Sequence, residues 1–335
     1  MSVTSGDREH ILAADIGGTK TLVALFAVDG ESLECERERS YPSGEHASFE
    51  EILDDFLAQG AVRLRAACFD VAGPVLDGSC KATNLPWNLS EPALGEKLGG
   101  VPVRLLNDLE ATAFGMLHLP SSELLVLQPG VRAGRRGNVA VIAAGTGLGE
   151  AYLYWDGRHH FPMASEGGHA DFAPRTDLEV DLLRWLRSRF GGRVSSERIL
   201  SGPGIVAVYE FLRDSGSHPE AAVVAERISA GDPAAAISSA AQDEEDPLAQ
   251  AAMDLFFELY GAEAGNMALR GLTHGGVFIG GGIAPRNLQG MASGPFLRGF
   301  RSKGRFSEFM AGLQVSVSLN PETALLGAAR FALQI

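Results

Sequence analysis

An aspartate follows an asparagine where an apolar run gives way to a helix-like one: Asn107-Asp108, within VPVRLLNDLEATAFGM. A carboxylate at a strand end can accept the proton of an alcohol while that alcohol attacks phosphorus. The asparagine beside it can both donate to and accept from a hydroxyl. Asp108 could equally cap the helix that follows. Three glycine-rich turns stand elsewhere: Asp15-Ile16-Gly17-Gly18-Thr19-Lys20, Ala144-Gly145-Thr146-Gly147-Leu148-Gly149 and Gly280-Gly281-Gly282. Glycine lets backbone N–H groups approach a phosphate, because no Cβ intervenes. In the first turn Thr19 adds a hydroxyl and Lys20 a positive charge, and Asp15 is placed to hold a magnesium ion through water. No G-x-x-x-x-G-K-[ST] loop occurs, and no G-x-G-x-x-G opens a helix. Alone, each glycine turn could be a plain hairpin or packing turn. Together with a base they point to transfer of phosphate from a nucleotide to a small hydroxylated molecule.

A second cluster offers hydroxyl ligands. In MASEGGHADFAPR, Glu166 accepts from hydroxyls, and a neutral His169 donates or accepts. The two glycines between them permit a tight loop that aims both side chains one way. Glu197, in SSERILSGPG, is a further acceptor, and Asn84, in TNLPW, is another. Each of these, taken singly, could be a surface residue or a helix cap. Glu166 and His169 could in principle hold a transition metal. No cysteine cluster or second nearby histidine supports one, and His159-His160 lacks ligand spacing.

These residues need elements to position them. Residues 11–14 are apolar, the first glycine turn follows, and 22–28 (LVALFAV) are apolar again, so the segment reads as a hairpin. Residues 138–144 (NVAVIAA), the second turn and 151–155 (AYLYW) repeat the pattern. The repeat is too long in period for a solenoid and suggests two related halves facing each other. Between the copies, 49–59 reads as helix and 65–71 (RAACFDV) as a strand ending at Gly73-Pro74. Residues 91–98 read as a short helix, 101–106 as a strand and 109–117 as a helix. Such alternation predicts an α/β sheet.

The second half is more helical, with helices expected over 177–190, 204–212 and 247–269. The last places Met253, Phe256, Phe257, Tyr260, Ala264 and Met267 on a buried stripe. Residues 232–246, rich in Ala, Ser and acidic residues, read as surface helix and loop. Residues 277–279 are a buried strand leading into the third glycine turn, and 314–319 alternate as a strand. Residues 321–333 read as a terminal helix, with Asn320 as its N-cap and Pro321 at its first position.

A chain of 335 residues suits two domains. Its 45% hydrophobic and 21% charged residues are ordinary for a soluble globular protein with a sizeable core. The net charge of −14 argues against non-specific binding to nucleic acid or an anionic membrane. It leaves backbone N–H groups and a bound cation to hold a polyanionic ligand. Cys35, Cys68 and Cys80 form no C-x-x-C pair and are odd in number, so they read as thiols in a reducing cytoplasm. The opening MSVTSGDREH lacks a signal-peptide core, and no apolar run reaches the roughly 20 residues a bilayer requires.

The strings Ala14-Asp15-Ile16-Gly17-Gly18-Thr19, Leu106-Asn107-Asp108, Ala144-Gly145-Thr146-Gly147-Leu148-Gly149, SEGGHADFAP from Ser165, ERILSGPG from Glu197 and GGVFIGGGI from Gly275 carry a resemblance. In this order, over nearly the whole chain, they resemble the bacterial glucokinases of the sugar-kinase, Hsp70 and actin superfamily. The resemblance implies an α/β, two-domain actin-like ATPase (ribonuclease H-like) fold. A small α/β domain (1–118 plus 319–335) and a larger α+β domain (119–318) would flank a cleft. It implies phosphorylation of glucose at the 6-hydroxyl by ATP with magnesium. Asp108 would be the base, and Asn107, Glu166, His169 and Glu197 would hold sugar hydroxyls together with Asn84. Gly17, Gly18, Gly145, Thr146 and Gly147 would hold phosphates, and Gly281 and Gly282 would lie near the adenosine.

A cytoplasmic homodimer is implied as well. Many repressor-kinase relatives carry a cysteine-rich zinc loop after the histidine. Here Ala170-Asp171-Phe172-Ala173-Pro174 stands instead, so no zinc is expected, and N-acetylmannosamine kinases of that branch are disfavoured. The residues before Ile11 are too few for a helix-turn-helix, which disfavours the sugar-responsive repressors. A kinase for another hexose, such as fructose or mannose, stays open, as do ADP or polyphosphate as donor. A non-catalytic sugar sensor would not need Asp108 together with both phosphate turns.

Overall fold

The computed structural model describes residues 8–60, 62–131, 136–216, 218–243 and 246–335. The chain divides into two compact units. The first runs to Pro120 and takes in the C-terminal segment Asn320–Ile335; the second is Ser121–Leu319.

The first unit contains strands β1 (Glu9–Ile16), β2 (Lys20–Asp29), β3 (Ser32–Pro42), β4 (Arg63–Val71), β5 (Ser79–Lys81), β6 (Asn88–Ser90) and β7 (Val103–Asn107). Its main sheet has the order β3-β2-β1-β4-β7, antiparallel from β3 to β1 and parallel from β1 to β7. Ile11, Leu12, Ala13 and Ala14 of β1 are all fully buried, as a strand covered on both faces must be. Alternation sorts them. Leu12 and Ala14 join Val23, Leu25 and Phe69 over the helix Phe49–Leu57 and Trp87. Ile11 and Ala13 join Leu22, Ala24 and Cys68 over the terminal helix Thr323–Ala332.

The second unit contains β8 (Leu124–Gln128), β9 (Val139–Ala144), β10 (Leu148–Trp155), β11 (His160–Ser165), β12 (Gly276–Gly280) and β13 (Val315–Ser318), in the order β11-β10-β9-β12-β13-β8. Strands β11, β10 and β9 are antiparallel, and β9, β12 and β13 are parallel. The internal repeat read from sequence is therefore a repeat of topology. In each unit a glycine turn joins the central strand to its antiparallel neighbour. The helix Pro247–Gly271 underlies this sheet and is buried around most of its circumference, with Met253, Phe256, Phe257, Tyr260 and Met267 in the core.

The terminal helix and β3 are among the elements that differ from expectation. The terminal helix begins at Thr323, with Glu322 rather than Asn320 at its N-cap. Asn320 instead accepts from the Glu322 N–H at 2.7 Å and closes a turn through Pro321. Strand β3 (SLECERERSYP) has no apolar alternation to announce it. It lies at the sheet edge, largely exposed, and exists because its backbone pairs with β2 along its length.

Close helix crossings set the first unit's geometry. The helix Asp108–Met116 crosses Thr323–Ala332 with glycine against backbone on both sides. A Cβ at Gly115 would run into the Thr323 carbonyl oxygen, and one at Gly327 into that of Ala111. Gly327→Val should therefore part the helices and cost about 1–3 kcal/mol or more, as overpacking does. Urea unfolding would read this as a lower midpoint; a midpoint equal to wild type would show that this crossing does not form.

Candidate active site

In the first unit, strand register brings the acidic residues together. Asp15 of β1 lies opposite Asp70 of β4, and Val71 of β4 lies opposite Asn107 of β7. The carboxyl ends of three parallel strands thus present Asp15, Asp70, Asn107 and Asp108 along one edge, where open α/β sheets bind ligands. Asn107 is the N-cap of the helix Asp108–Met116, in a capping box with Glu110. Its Oδ1 accepts from the Leu109 N–H at 3.0 Å, its Nδ2 donates to the Gly73 carbonyl at 3.1 Å, and its own N–H donates to Glu110 at 3.0 Å. Asp108 is therefore not the cap. It is the first helical residue, half-buried, and its Oδ1 accepts from the Leu109 N–H at 2.8 Å.

The first glycine turn is closed by the Gly17 N–H donating to Lys20 O at 3.0 Å. Ser43, which the motifs did not single out, braces it. Its hydroxyl donates to Gly17 O at 2.7 Å, and its N–H donates to Thr19 O at 3.0 Å. Asn84 comes to this turn, since a Cβ on Gly18 would lie 2.9 Å from the Asn84 Cβ. Thr19 and Lys20 are exposed beside it.

Asp70 also went unread, although a lone carboxylate in the apolar run RAACFDV was the available signal. It is fully buried, and among the described residues no donor reaches either oxygen. Burial, and then the neighbouring Asp15, push its carboxyl well above the usual range. Asp15 is raised too, by burial, with Asp70 and Lys20 opposing. Two adjacent carboxyls pair only through a shared proton. Asp70, the more buried, keeps the proton. These oxygen donors suit a hard divalent cation that keeps water and phosphate ligands. Among the described residues, no group of three or more His, Cys, Asp or Glu is placed to hold a metal ion by itself.

In the second unit, Glu166, His169 and Glu197 converge. His169 Nε2 lies 3.9 Å from Glu166 Oε2, and its Nδ1 lies 3.8 Å from Glu197 Oε1. Backbone bonds join their segments: Ser196 N–H donates to Ala170 O at 2.9 Å, and Phe172 N–H to Val194 O at 3.0 Å. Glu197 also reaches the second glycine turn, accepting from the Leu148 N–H at 3.0 Å and lying over Gly147. That turn is tied to the N-terminus of the helix Gly202–Asp214, whose Gly202 N–H donates to Gly145 O at 2.8 Å. The helix end adds partial positive charge beside that turn. Gly281, at φ +75°, packs its Cα on the Ala144 carbonyl, so the third turn lies against the second. The two glycines of the Glu166–His169 turn serve close packing more than flexibility. A Cβ at Gly168 would strike the Leu148 carbonyl, and one at Gly167 the carboxylate of Glu150.

Mixed sheets with glycine turns at the strand ends are a form that α/β phosphotransferases take. The profile of the glucokinase family matches residues 12–335. A glucokinase of Synechocystis sp. is 40% identical over 349 residues, covering 97% of this chain and 98% of that protein. The crystal structure of glucokinase from an Antarctic psychrotroph matches with a TM-score of 0.86 at 31% identity, covering 97% of this chain and 99% of that one. A ROK family glucokinase from Streptomyces griseus, solved in complex with glucose and AMPPNP, shares the fold at TM-score 0.60 and 22% identity, covering 97% and 100%. The chain belongs to the glucokinase family. Among the described residues no helix is long and apolar enough to cross a membrane.

The raised Asp70 carboxyl predicts a pH-dependent stability. A folded pKa above the unfolded value of about 4 contributes stability that is complete below that pH and is lost as pH rises. Asp70→Asn keeps the shape of the neutral side chain and removes the ionisation. It should equal wild type near pH 4 and exceed it by roughly 1–3 kcal/mol at pH 8, the cost of an unmatched buried polar group. Thermal melts at the two pH values test this; a variant less stable than wild type at pH 8 would refute it.

Proposed function

We propose that this chain transfers the γ-phosphoryl group of ATP to the 6-hydroxyl of D-glucose, with Asp108 as general base. The observation that carries this reading is the convergence of Glu166, His169 and Glu197 beside the second glycine turn, at 3.8 and 3.9 Å, in a chain whose relatives are glucokinases. Two carboxylates and an imidazole on one surface suit a polyol, because each can bond a different hydroxyl. Asn107 and Asn84 are further sugar ligands in this reading. The backbone of Gly17, Gly18 and Thr19, with Lys20, and that of Gly145, Thr146 and Gly147 hold phosphates. Gly281 and Gly282 lie by the adenosine.

A sugar alcohol is a poor nucleophile until its proton has somewhere to go. Asp108 accepts that proton as the new P–O bond forms and the bond to the ADP oxygen breaks. The Leu109 N–H orients its carboxylate. Asp15 would hold Mg²⁺ through water, and the ion, when bound, neutralises phosphate charge. No step requires zinc, since Ala170–Pro174 place no cysteine after His169. The reading extends to a cytoplasmic homodimer, whose mass light scattering would give.

Asp108→Ala should lower kcat at least about 10²-fold while leaving glucose binding nearly intact, as loss of a general base does. Glu166→Gln and His169→Ala should instead raise the glucose KM by about tenfold or more, the loss of a hydrogen bond to a sugar hydroxyl. A coupled ADP-release assay across glucose, fructose and mannose reads both effects and the hexose preference. Near-normal turnover in the Asp108 variant, or an unchanged KM in the other two, would remove those residues from their roles.

A further inference from the structure

The carboxyl group of Glu150 lies directly beneath the turn that carries Glu166 and His169. Glu150 sits on β10 opposite Ser165 of β11 and Ile142 of β9. It is only 2% exposed. The Cα of Gly167 rests on its Oε2, close enough that no side chain fits there. Gly167 is held over it by its own N–H, which donates to Ser165 Oγ at 2.9 Å. Among the described residues no donor reaches Glu150 Oε1.

A carboxylate can only accept hydrogen bonds, so the ionised form has nothing at Oε1 to replace its lost water. The neutral form removes that cost and supplies a donor. The groups that face it do not supply a partner. From the helix Pro247–Gly271 come Glu263, which repels it, Arg270, which is paired at 3.0 Å with Glu263, and Tyr260; from β10 itself comes Tyr152. The turn above brings Glu166 and His169. Burial first, then Glu263, push the Glu150 carboxyl up to about 7, against Arg270. Ionisation therefore falls within the physiological range, and the charge must be met by admitting water beneath Gly167.

We propose that Glu150 is a positioning residue for sugar binding: as the neutral acid it seats Gly167 and holds the Glu166–His169 turn in place, and as the carboxylate it unseats that turn. Glu150 touches no substrate; it acts through Gly167. The inference rests on the reading of Glu166 and His169 as sugar ligands.

Glucose affinity, measured by calorimetry without nucleotide at pH 6 and pH 8.5, tests it. Wild type should bind about tenfold more weakly at pH 8.5, which corresponds to binding that raises the carboxyl pKa by one unit. Glu150→Gln, an uncharged donor of the same shape, should hold the pH 6 affinity at both pH values. Gly167→Ala should bind weakly at both, because its Cβ meets the carboxyl whatever its charge. In turnover, the wild-type pH effect should fall on the glucose KM and not on kcat. A pH-independent wild-type affinity would overturn the proposal. So would a Glu150→Gln variant that keeps the wild-type slope, which would pass the effect to His169, or one that fails to fold at pH 6. Glu166→Gln at pH 6 separates the two levels. Undiminished glucose binding there would sink the sugar-site reading itself, whereas weakened binding without the predicted pH slopes would sink only the role of Glu150.

Discussion

The parallel register of β1, β4 and β7 is the constraint on which the first unit's chemistry depends. Asp15, Asp70 and Asn107 are far apart in sequence and share no motif. They become neighbours because hydrogen bonds between strands leave no choice about which residue lies opposite which. A slip of one residue would turn every side chain to the other face of the sheet. Two independent cores would then be exposed, those of Leu12 and Ala14 on one side and of Ile11 and Ala13 on the other. Burial of ordinary aliphatic side chains thus holds the carboxylates in line, and the Gly115–Gly327 crossing fixes the helix that begins with Asp108.

The acidic composition of the chain does not conflict with a polyanionic ligand, because the groups suited to phosphate are mostly not side chains. The glycine turns present backbone N–H groups, and the helix Gly202–Asp214 directs its N-terminus at the second turn. The many acidic groups serve elsewhere. Arg175 pairs with the buried Glu179 at 2.5 Å, and Glu258 binds Arg298 at 2.8 Å, so some of them serve structure.

Each unit carries one buried carboxyl directly behind residues of the candidate site: Asp70 behind Asp15, and Glu150 behind the Glu166–His169 turn. Among the described residues no donor reaches either oxygen of Asp70 or the Oε1 of Glu150. A fold selected for stability alone would place apolar residues at both positions, since unmatched buried carboxyls are costly. Their presence marks these regions as places where packing gives way to the geometry of the site.

Much was legible in the residues themselves. The strands around the first two glycine turns, the buried 25-residue helix Pro247–Gly271 and the helix after Asn107-Asp108 follow from apolar periodicity and turn chemistry, which are local properties. So does the list of candidate site residues, because a hydroxyl ligand, a base and a glycine turn are recognised by type and near neighbours. Other features were not local. Strand β3 forms only because β2 offers it an edge, and its charged string carries no trace of that partner. Asn107, expected as a sugar ligand, caps the helix, a bond that depends on the backbone it meets. Glu150 is an ordinary letter in the sequence and Asp70 only a lone carboxylate in an apolar run; their protonation depends on what surrounds them, and that surrounding is assembled from strands and a helix distant in the chain. Composition and periodicity determined which segments are strands, helices and reactive turns. Only the folded arrangement decided which carboxyls lose their water, because desolvation belongs to a place in the fold and not to a residue.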